Sequence, residues 1–190
     1  MDISELIKFL PKKPIPHDFK DFEGNSFTHC VECDKDLVHS NEPYLIEKAL
    51  KPGDVIFEYA ICMPCASKLN EKISEESRKV LDRFFRKMQE PLENRMRSNL
   101  EDGDESLGIE NCLLSGKATA DLREYQIFGM FIGDQMVQGP YPYALDTAVL
   151  EELHDELSNE TKDILDDFGD RHFDWPPELK ELLKPKPVLI

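Results

Sequence analysis

Four of the five cysteines form two Cys-x-x-Cys pairs, and this spacing constrains the chain more than any other feature of its sequence. The first pair is Cys30 and Cys33, and the second is Cys62 and Cys65, with 28 residues between the pairs. A Cys-x-x-Cys turn presents two sulfurs from one loop, so two such turns brought together supply four soft ligands. The pattern therefore predicts a metal site in the first half of the chain.

Zinc is the metal that best fits four thiolates in a tetrahedron, and iron is the alternative with the same ligand set. We predict one structural Zn²⁺ per chain, bound by Cys30, Cys33, Cys62 and Cys65. With all four positions filled by thiols, no position is left for water or substrate. Binding free energies of such sites in small peptides are about 10–16 kcal/mol at neutral pH, so loss of one ligand is expected to unfold the first unit.

The segment between the two pairs predicts a β-hairpin. Residues 43–49 and 54–61 favour strands around a Pro-Gly turn at residues 51–54. A helix is expected after Cys65, and Ser74 is a candidate N-cap for a second one, with two glutamates following it. An apolar stripe at helical spacing in that second helix predicts core packing; its members are Leu81, Phe84, Phe85, Met88 and Leu92.

The order of a cysteine knuckle, a hairpin and a helix that carries the last two ligands resembles the treble-clef group of zinc modules. The resemblance covers about residues 27–90 and depends on the four cysteines. It implies a fold and a structural metal, whereas the group hosts many unrelated functions. A treble-clef nuclease would need a catalytic histidine and an open metal position, and the helix after Cys65 offers no His-Asn-His arrangement.

The second pair, Cys62-Met-Pro-Cys65, also has the form of a thiol-disulfide motif at a helix start. A thiol oxidoreductase that uses Cys62 and Cys65 is therefore an alternative function. A thioredoxin-like domain needs a βαβ context before the motif, however, and the preceding segment contains prolines and another cysteine pair. The redox interpretation also gives no role to Cys30 and Cys33.

The second half of the chain repeats features of the first in the same order, which favours an internal duplication. Five short segments match at offsets of 78 to 84 residues. They are Cys30–Lys35 with Cys112–Lys117, Tyr44–Ile46 with Tyr125–Ile127, Gly53–Asp54 with Gly133–Asp134, Met63–Ala66 with Tyr141–Ala144, and Ile73–Phe84 with Leu157–Phe168.

On this alignment the second copy has lost its metal ligands. It keeps Cys112 but has Ser115, Pro140 and Tyr143 at the other three positions, so it is expected to bind no zinc. Apolar contacts from Val137, Tyr141 and Tyr143 are expected where the metal sits in the first copy. Cys112 itself is interpreted as a buried small side chain or a remnant of the duplicated site.

These features together predict an α+β fold made of two tandem treble-clef-like units, the second without metal. The expected divisions of the chain are an N-terminal helix and Pro-rich connector (1–22), a zinc-binding unit (23–98), an acidic linker (99–110), a metal-free repeat (111–169) and a C-terminal segment that docks on the body (170–190). Trp175 and nearby leucines are expected to anchor that last segment.

Charge and hydropathy indicate which partners to expect. The 39 acidic and 23 basic side chains give a net charge of −16, which repels phosphate backbones, so direct nucleic-acid binding is not expected. No apolar stretch is long enough to cross a membrane and the N-terminus is not a secretory signal, so a cytoplasmic location is predicted. We expect a non-enzymatic scaffold that binds another protein, with its acidic surface favouring a basic partner. An acidic regulator that mimics nucleic acid is a further alternative.

Overall fold

A computed structural model of the chain describes Ile7, residues 9–98, residues 108–180 and Pro187. Most of the expected N-terminal helix and of the acidic linker lies outside these residues, as do Leu182 and Leu183. Among the described helices, none is long and apolar enough to cross a membrane.

The described chain forms one antiparallel sheet of six strands with helices packed against it. The strands are β1 (Lys12–Pro14), β2 (Pro43–Lys51), β3 (Asp54–Cys62), β4 (Tyr125–Ile132), β5 (Gln135–Val137) and β6 (Tyr143–Asp146). Their order is β1-β5-β4-β2-β3. Strand β6 also pairs with β4, at residues Tyr125–Phe128, whereas β5 pairs with Phe131 and Ile132 at the other end of β4. The helices are α1 (Met63–Glu71), α2 (Glu75–Arg97), α3 (Thr147–Glu156), α4 (Asn159–His172) and the one-turn α5 (Pro177–Lys180). The mixed α and β composition agrees with the sequence prediction.

The predicted β-hairpin is confirmed, with strands slightly longer than expected. Lys51 pairs with Asp54 across a two-residue turn, and Gly53 at its second position has a φ of 78°. A type II turn requires positive φ at its third residue, which glycine adopts readily, and it favours proline at the position before. The hairpin thus places Cys62, the last residue of β3, directly opposite Tyr44 near the start of β2.

The centre of the sheet joins the two halves of the chain. β2 from the first half pairs with β4 from the second over eight residues, from Pro43 opposite Ile132 to Leu50 opposite Tyr125. One continuous core contains buried side chains from both halves, including the stacked rings of Tyr44 and Phe131, whose centroids are 5.5 Å apart. The two halves therefore share one sheet and one core.

The helices α2 and α4 begin face to face. Ser74 accepts a hydrogen bond from the amide of Ser77, as the sequence predicted, and Ser158 accepts one from the amide of Thr161 in the same way. The two cap hydroxyls lie 2.8 Å apart. The exchange is reciprocal: the amide of Ser74 donates to Thr161 Oγ1 (3.2 Å) and the amide of Ser158 donates to Ser77 Oγ (2.9 Å). Four hydroxyls thus satisfy amide groups that each helix start would leave unpaired.

The apolar stripe of α2 is only partly core. Phe84 and Met88 are buried, as expected, but Phe85 is 40% exposed. The C-terminal segment packs on the sheet through Phe173 and Trp175, whose rings lie 5.0 and 6.1 Å from that of Phe57. This contact places the end of α4 beside the first half of the chain.

Candidate metal centre

The first cysteine pair lies in a tight turn of residues 30–35, which we call the knuckle. The amide of Cys30 donates to the carbonyl of Lys35, and the amide of Asp34 donates back to the carbonyl of Cys30, both at 2.9 Å. Asp34 has a φ of 58°, a left-handed conformation that Asp tolerates better than most residues. The amide of Val31 donates to the carbonyl of Ala60 on β3. The knuckle is therefore fixed to the strand that ends in Cys62.

The second pair lies where β3 passes into α1. Cys62 is the N-cap of the helix, Pro64 occupies its first turn, and Cys65 follows one position later. Proline is compatible with a first turn because its missing N–H would have no partner there. Both thiols are thus at a helix N-terminus, where the helix dipole and free amide groups favour negative charge.

The four sulfurs converge on one point. All four Sγ atoms lie within 4.8 Å of one another, and Cys33 Sγ lies 3.8 Å from Cys62 Sγ. A tetrahedral zinc with Zn–S bonds of about 2.3 Å requires sulfurs about 3.8 Å apart, whereas a disulfide requires about 2.0 Å. The cysteines are free, and Cys33 is exposed while the other three are buried. The donor set and its spacing therefore fit a tetrahedral metal ion with thiolate ligands.

Burial and hydrogen bonding act in opposite directions on these thiols. Burial raises the pKa of Cys62 to about 11 and raises the pKa of Cys65 further. Burial also acts to raise the pKa of Cys30, but hydrogen bonds from the backbone of Cys62, Cys33 and Glu32 outweigh it and lower that pKa. A divalent cation bound among the sulfurs would supply positive charge that favours the thiolate form of its ligands.

A carboxylate inside the knuckle connects it to the far end of the chain. Glu32 Oε2 lies 2.6 Å from His172 Nε2, and Glu32 Oε1 accepts a hydrogen bond from Arg171 at 2.9 Å. Burial raises the pKa of Glu32, but the hydrogen bonds from Arg171 and His172 more than compensate, so the pKa is lowered overall. No local sequence pattern predicts this contact, because Glu32 lies 139 residues from Arg171 and 140 residues from His172.

The nearby histidines do not join the cluster. His29 Nδ1 lies 2.9 Å from the hydroxyl of Thr28, and His39 Nδ1 lies 2.9 Å from a carboxylate oxygen of Asp36. Both histidines are exposed. The only group of metal-ligating side chains found among the described residues is the four-cysteine cluster.

A second knuckle with the same hydrogen bonds surrounds Cys112. The amide of Cys112 donates to the carbonyl of Lys117, and the amide of Gly116 donates to the carbonyl of Cys112, both at 2.8 Å. The amide of Leu113 donates to the carbonyl of Ala144, as that of Val31 does to Ala60. Cys112 Sγ accepts a hydrogen bond from the amide of Asp146 at 3.2 Å, and Cys30 Sγ accepts one from Cys62 at 3.4 Å.

These hydrogen bonds correct the sequence alignment at two ligand positions. Pro140 and Tyr143 do not correspond to Cys62 and Cys65, because Tyr143 lies in strand β6 whereas Met63–Ala66 lies in a helix. Asp146 is the structural counterpart of Cys62: each ends a strand, caps the next helix and donates its amide to a knuckle sulfur.

The counterpart of Cys65 is then Val149, three residues after the cap in α3. The second knuckle therefore has Cys112, Ser115, Asp146 and Val149 at the four positions, and only one of them is a thiol. Of the expected apolar substitutes, Tyr143 stacks on Phe128 within the core at 5.2 Å and Tyr141 stacks on Tyr143, while Val137 packs with Ile7 and Met130.

Searches of protein-family models, curated proteins and solved structures found no match to this chain, so its function is inferred from the site itself.

Proposed function

We propose that this chain is a non-enzymatic scaffold stabilised by one structural zinc ion, and that it acts by binding another protein. The observation that carries the proposal is the convergence of four thiols within 4.8 Å of one another. Four thiolates fill a tetrahedral shell and leave no coordination position for a water or a substrate. The metal would join the knuckle, the end of β3 and the start of α1.

The geometry gives less support to a thiol oxidoreductase. A redox pair at Cys62 and Cys65 would leave Cys30 and Cys33 without a role, although their sulfurs lie in the same cluster. An open groove in the described part of the chain lies along α2, and none of the four cysteines lines it. A substrate-binding surface beside the thiols is therefore not part of this proposal.

We infer further that the chain is a duplicated treble clef whose second copy has lost its metal. Three sets of contacts support this. The knuckle hydrogen bonds recur around Cys30 and Cys112. The strand register recurs, since Tyr44 lies opposite Cys62 and Tyr125 lies opposite Asp146. The cap hydrogen bonds recur at the starts of α2 and α4.

The loss of the metal is accompanied by a change at three of the four ligand positions. Asp146 uses its carboxylate to cap α3, accepting from the amide of Ala148 at 3.0 Å, whereas Cys62 makes no side-chain cap bond. Val149 packs against the shared core, and Cys112 is 1% exposed. Cap hydrogen bonding and apolar packing thus replace the zinc–thiolate bonds in the second half.

The class of partner follows from charge. Helices α3 and α4 carry nine acidic and two basic side chains. Such a surface attracts a protein with a basic face and repels the phosphates of nucleic acid. Binding to such a partner should weaken as salt screens the attraction, and the same salt dependence is expected of an acidic regulator that mimics nucleic acid.

Elemental analysis of the purified native protein tests the metal assignment. We expect one zinc per chain, lost in Cys30→Ser and in Cys65→Ser. Cys112→Ser is the matched control, because Cys112 occupies the same knuckle position as Cys30 in the other half, and it should retain one zinc. Two zinc ions in the unmodified chain would refute the metal-free second half. A chain without metal that forms a reversible Cys62–Cys65 disulfide would refute the scaffold in favour of the oxidoreductase.

A further inference from the structure

Helix α2 is longer than its counterpart in the second half of the chain. The caps Ser74 and Ser158 correspond, so the last residue of α4, His172, corresponds to Met88 of α2. Helix α2 continues for nine further residues, to Arg97. This comparison depends on the duplication proposed above. Because α4 completes the same packing without such an extension, residues 89–97 provide helical surface beyond what the fold itself requires.

The two halves also differ in what covers the helix. The residue of α4 that corresponds to Phe85 is Gly169, where an added Cβ atom would lie 3.3 Å from a ring atom of Trp175. The chain that follows α4 thus turns back and covers this position. In α2 the helix continues instead, and Phe85 is 40% exposed while Met96 is 39% exposed. Among the described residues, the first half therefore leaves exposed a helix face whose counterpart in the second half is covered.

This uncovered face has the spacing of a helix-pairing seam. Its members follow one another at intervals of four, three and four residues, which places them in one row along the helix. We call this row the seam; it consists of Phe85, Gln89, Leu92 and Met96. They line an open groove of about 600 Å³ whose other wall includes Pro140 from the second half. The remaining lining residues are Asp82, Arg86 and Glu93. A second helix could lie in this groove.

The charges beside the seam identify the partner helix. Arg86 and Glu93 each follow a seam residue by one position, so they lie on the same flank, seven residues apart and opposite in sign. In an antiparallel pair of identical helices, residues on the same flank face each other with their order reversed. Arg86 of one copy would then lie beside Glu93 of the other, and the contact would occur twice.

The net charge of the helix favours the same partner. Helix α2 carries seven basic and five acidic side chains, a net charge of +2, in a chain whose net charge is −16. Two copies of the chain that meet through α2 would therefore repel each other less than two copies that meet through an acidic surface. We propose that this face of α2 binds the same face of a second copy of the chain in an antiparallel arrangement. Four seam residues per copy make a small interface, so the dimer should be weak and concentration-dependent.

Sedimentation equilibrium of the full-length, zinc-containing protein over a wide concentration range tests the proposal. We expect reversible dimers that are lost in Phe85→Asp and in Met96→Asp. Phe22→Asp is the matched control, because Phe22 is 74% exposed and lies outside the groove, and it should leave the dimer unchanged. Zinc content should remain one per chain in every variant, so a failure of this proposal is separable from a failure of the zinc assignment.

A charge exchange tests the orientation. Arg86→Glu and Glu93→Arg should each weaken the dimer, since each places like charges opposite one another, and the double variant should restore it. A chain that stays monomeric at all concentrations would overturn the proposal. So would a dimer that is indifferent to Phe85→Asp and Met96→Asp, because a different surface would then form it. A dimer that these two variants abolish but that the double charge variant does not restore would refute the antiparallel arrangement.

Discussion

If the second half is a metal-free copy of the first, as proposed, placing cysteines at its three non-thiol ligand positions should create a second zinc site. The structure identifies the three substitutions as Ser115→Cys, Asp146→Cys and Val149→Cys, which complete a cluster with Cys112. The backbone around Cys112 already resembles that of the four-cysteine cluster. Cys112 Sγ accepts a hydrogen bond from the amide of Asp146 at 3.2 Å, and Cys30 Sγ accepts one from the amide of Cys62 at 3.4 Å. The triple variant is therefore expected to bind two zinc ions per chain.

The change in stability can be estimated from what each substitution removes. Loss of the Asp146 cap costs about 1 kcal/mol, and shortening half-buried Val149 costs about 1 kcal/mol more. Free zinc at about 1,000 times its dissociation constant contributes about 4 kcal/mol. The net gain of about 2 kcal/mol corresponds to a rise of roughly 4–8 °C in the melting temperature of a chain of this size.

Elemental analysis gives the zinc content, and thermal unfolding followed by circular dichroism gives the stability with zinc present. Adding Cys112→Ser to the triple variant removes one ligand and should return the zinc content to one. Cysteines placed instead at Ser115, Pro140 and Tyr143, as the sequence alignment suggested, should add no zinc. If the triple variant folds, keeps its first zinc and binds no second one, the equivalence of the two knuckles is wrong.

Three further substitutions test contacts outside the metal cluster. Glu32→Ala removes two charge-assisted hydrogen bonds, so the free energy of unfolding in denaturant, followed by the single tryptophan, should fall by about 2 kcal/mol with zinc content unchanged. Ser158→Ala removes the α4 cap and should lower the melting temperature by an amount equivalent to about 1–2 kcal/mol, whereas exposed Ser115→Ala should have little effect; equal shifts would contradict the cap assignment. Phe168→Ala empties a fully buried site and should cost about 3–5 kcal/mol in urea unfolding, while Phe22→Ala should cost almost nothing.

Local sequence signals were sufficient for the hairpin and for the start of α2, whereas strand β1 lies in the segment expected to be a Pro-rich connector. The Pro-Gly turn and its flanking apolar runs predicted the hairpin, and Ser74 predicted the start of α2, because turns and caps depend on residues only a few positions apart. The spacing of the cysteines likewise predicted that Cys30, Cys33, Cys62 and Cys65 would meet. The proposed duplication was visible for the same reason, since the two halves repeat their turn and cap residues.

The wrong predictions came from short sequence patterns that do not specify the surrounding three-dimensional structure. Pro142 resembles Pro64 in sequence, and this likeness placed the lost ligands at Pro140 and Tyr143. In the structure the matching strand is interrupted: β5 ends at Val137 and β6 resumes at Tyr143, so the true counterparts lie several residues later. Phe85 was expected in the core because helical spacing identifies an apolar row but not whether another element covers it.

The sequence by itself determined which residues could bind a metal and which segments would form the hairpin and the helix starts, since these depend on short-range stereochemistry and on the donor chemistry of thiols. Only the tertiary structure decided that β2 pairs with β4 in one shared sheet, that Glu32 of the knuckle contacts Arg171 and His172, and that Asp146 donates its amide to Cys112 Sγ. These contacts join residues 34 to 140 positions apart, and their partners are selected by how whole strands and helices pack together, which no local pattern specifies.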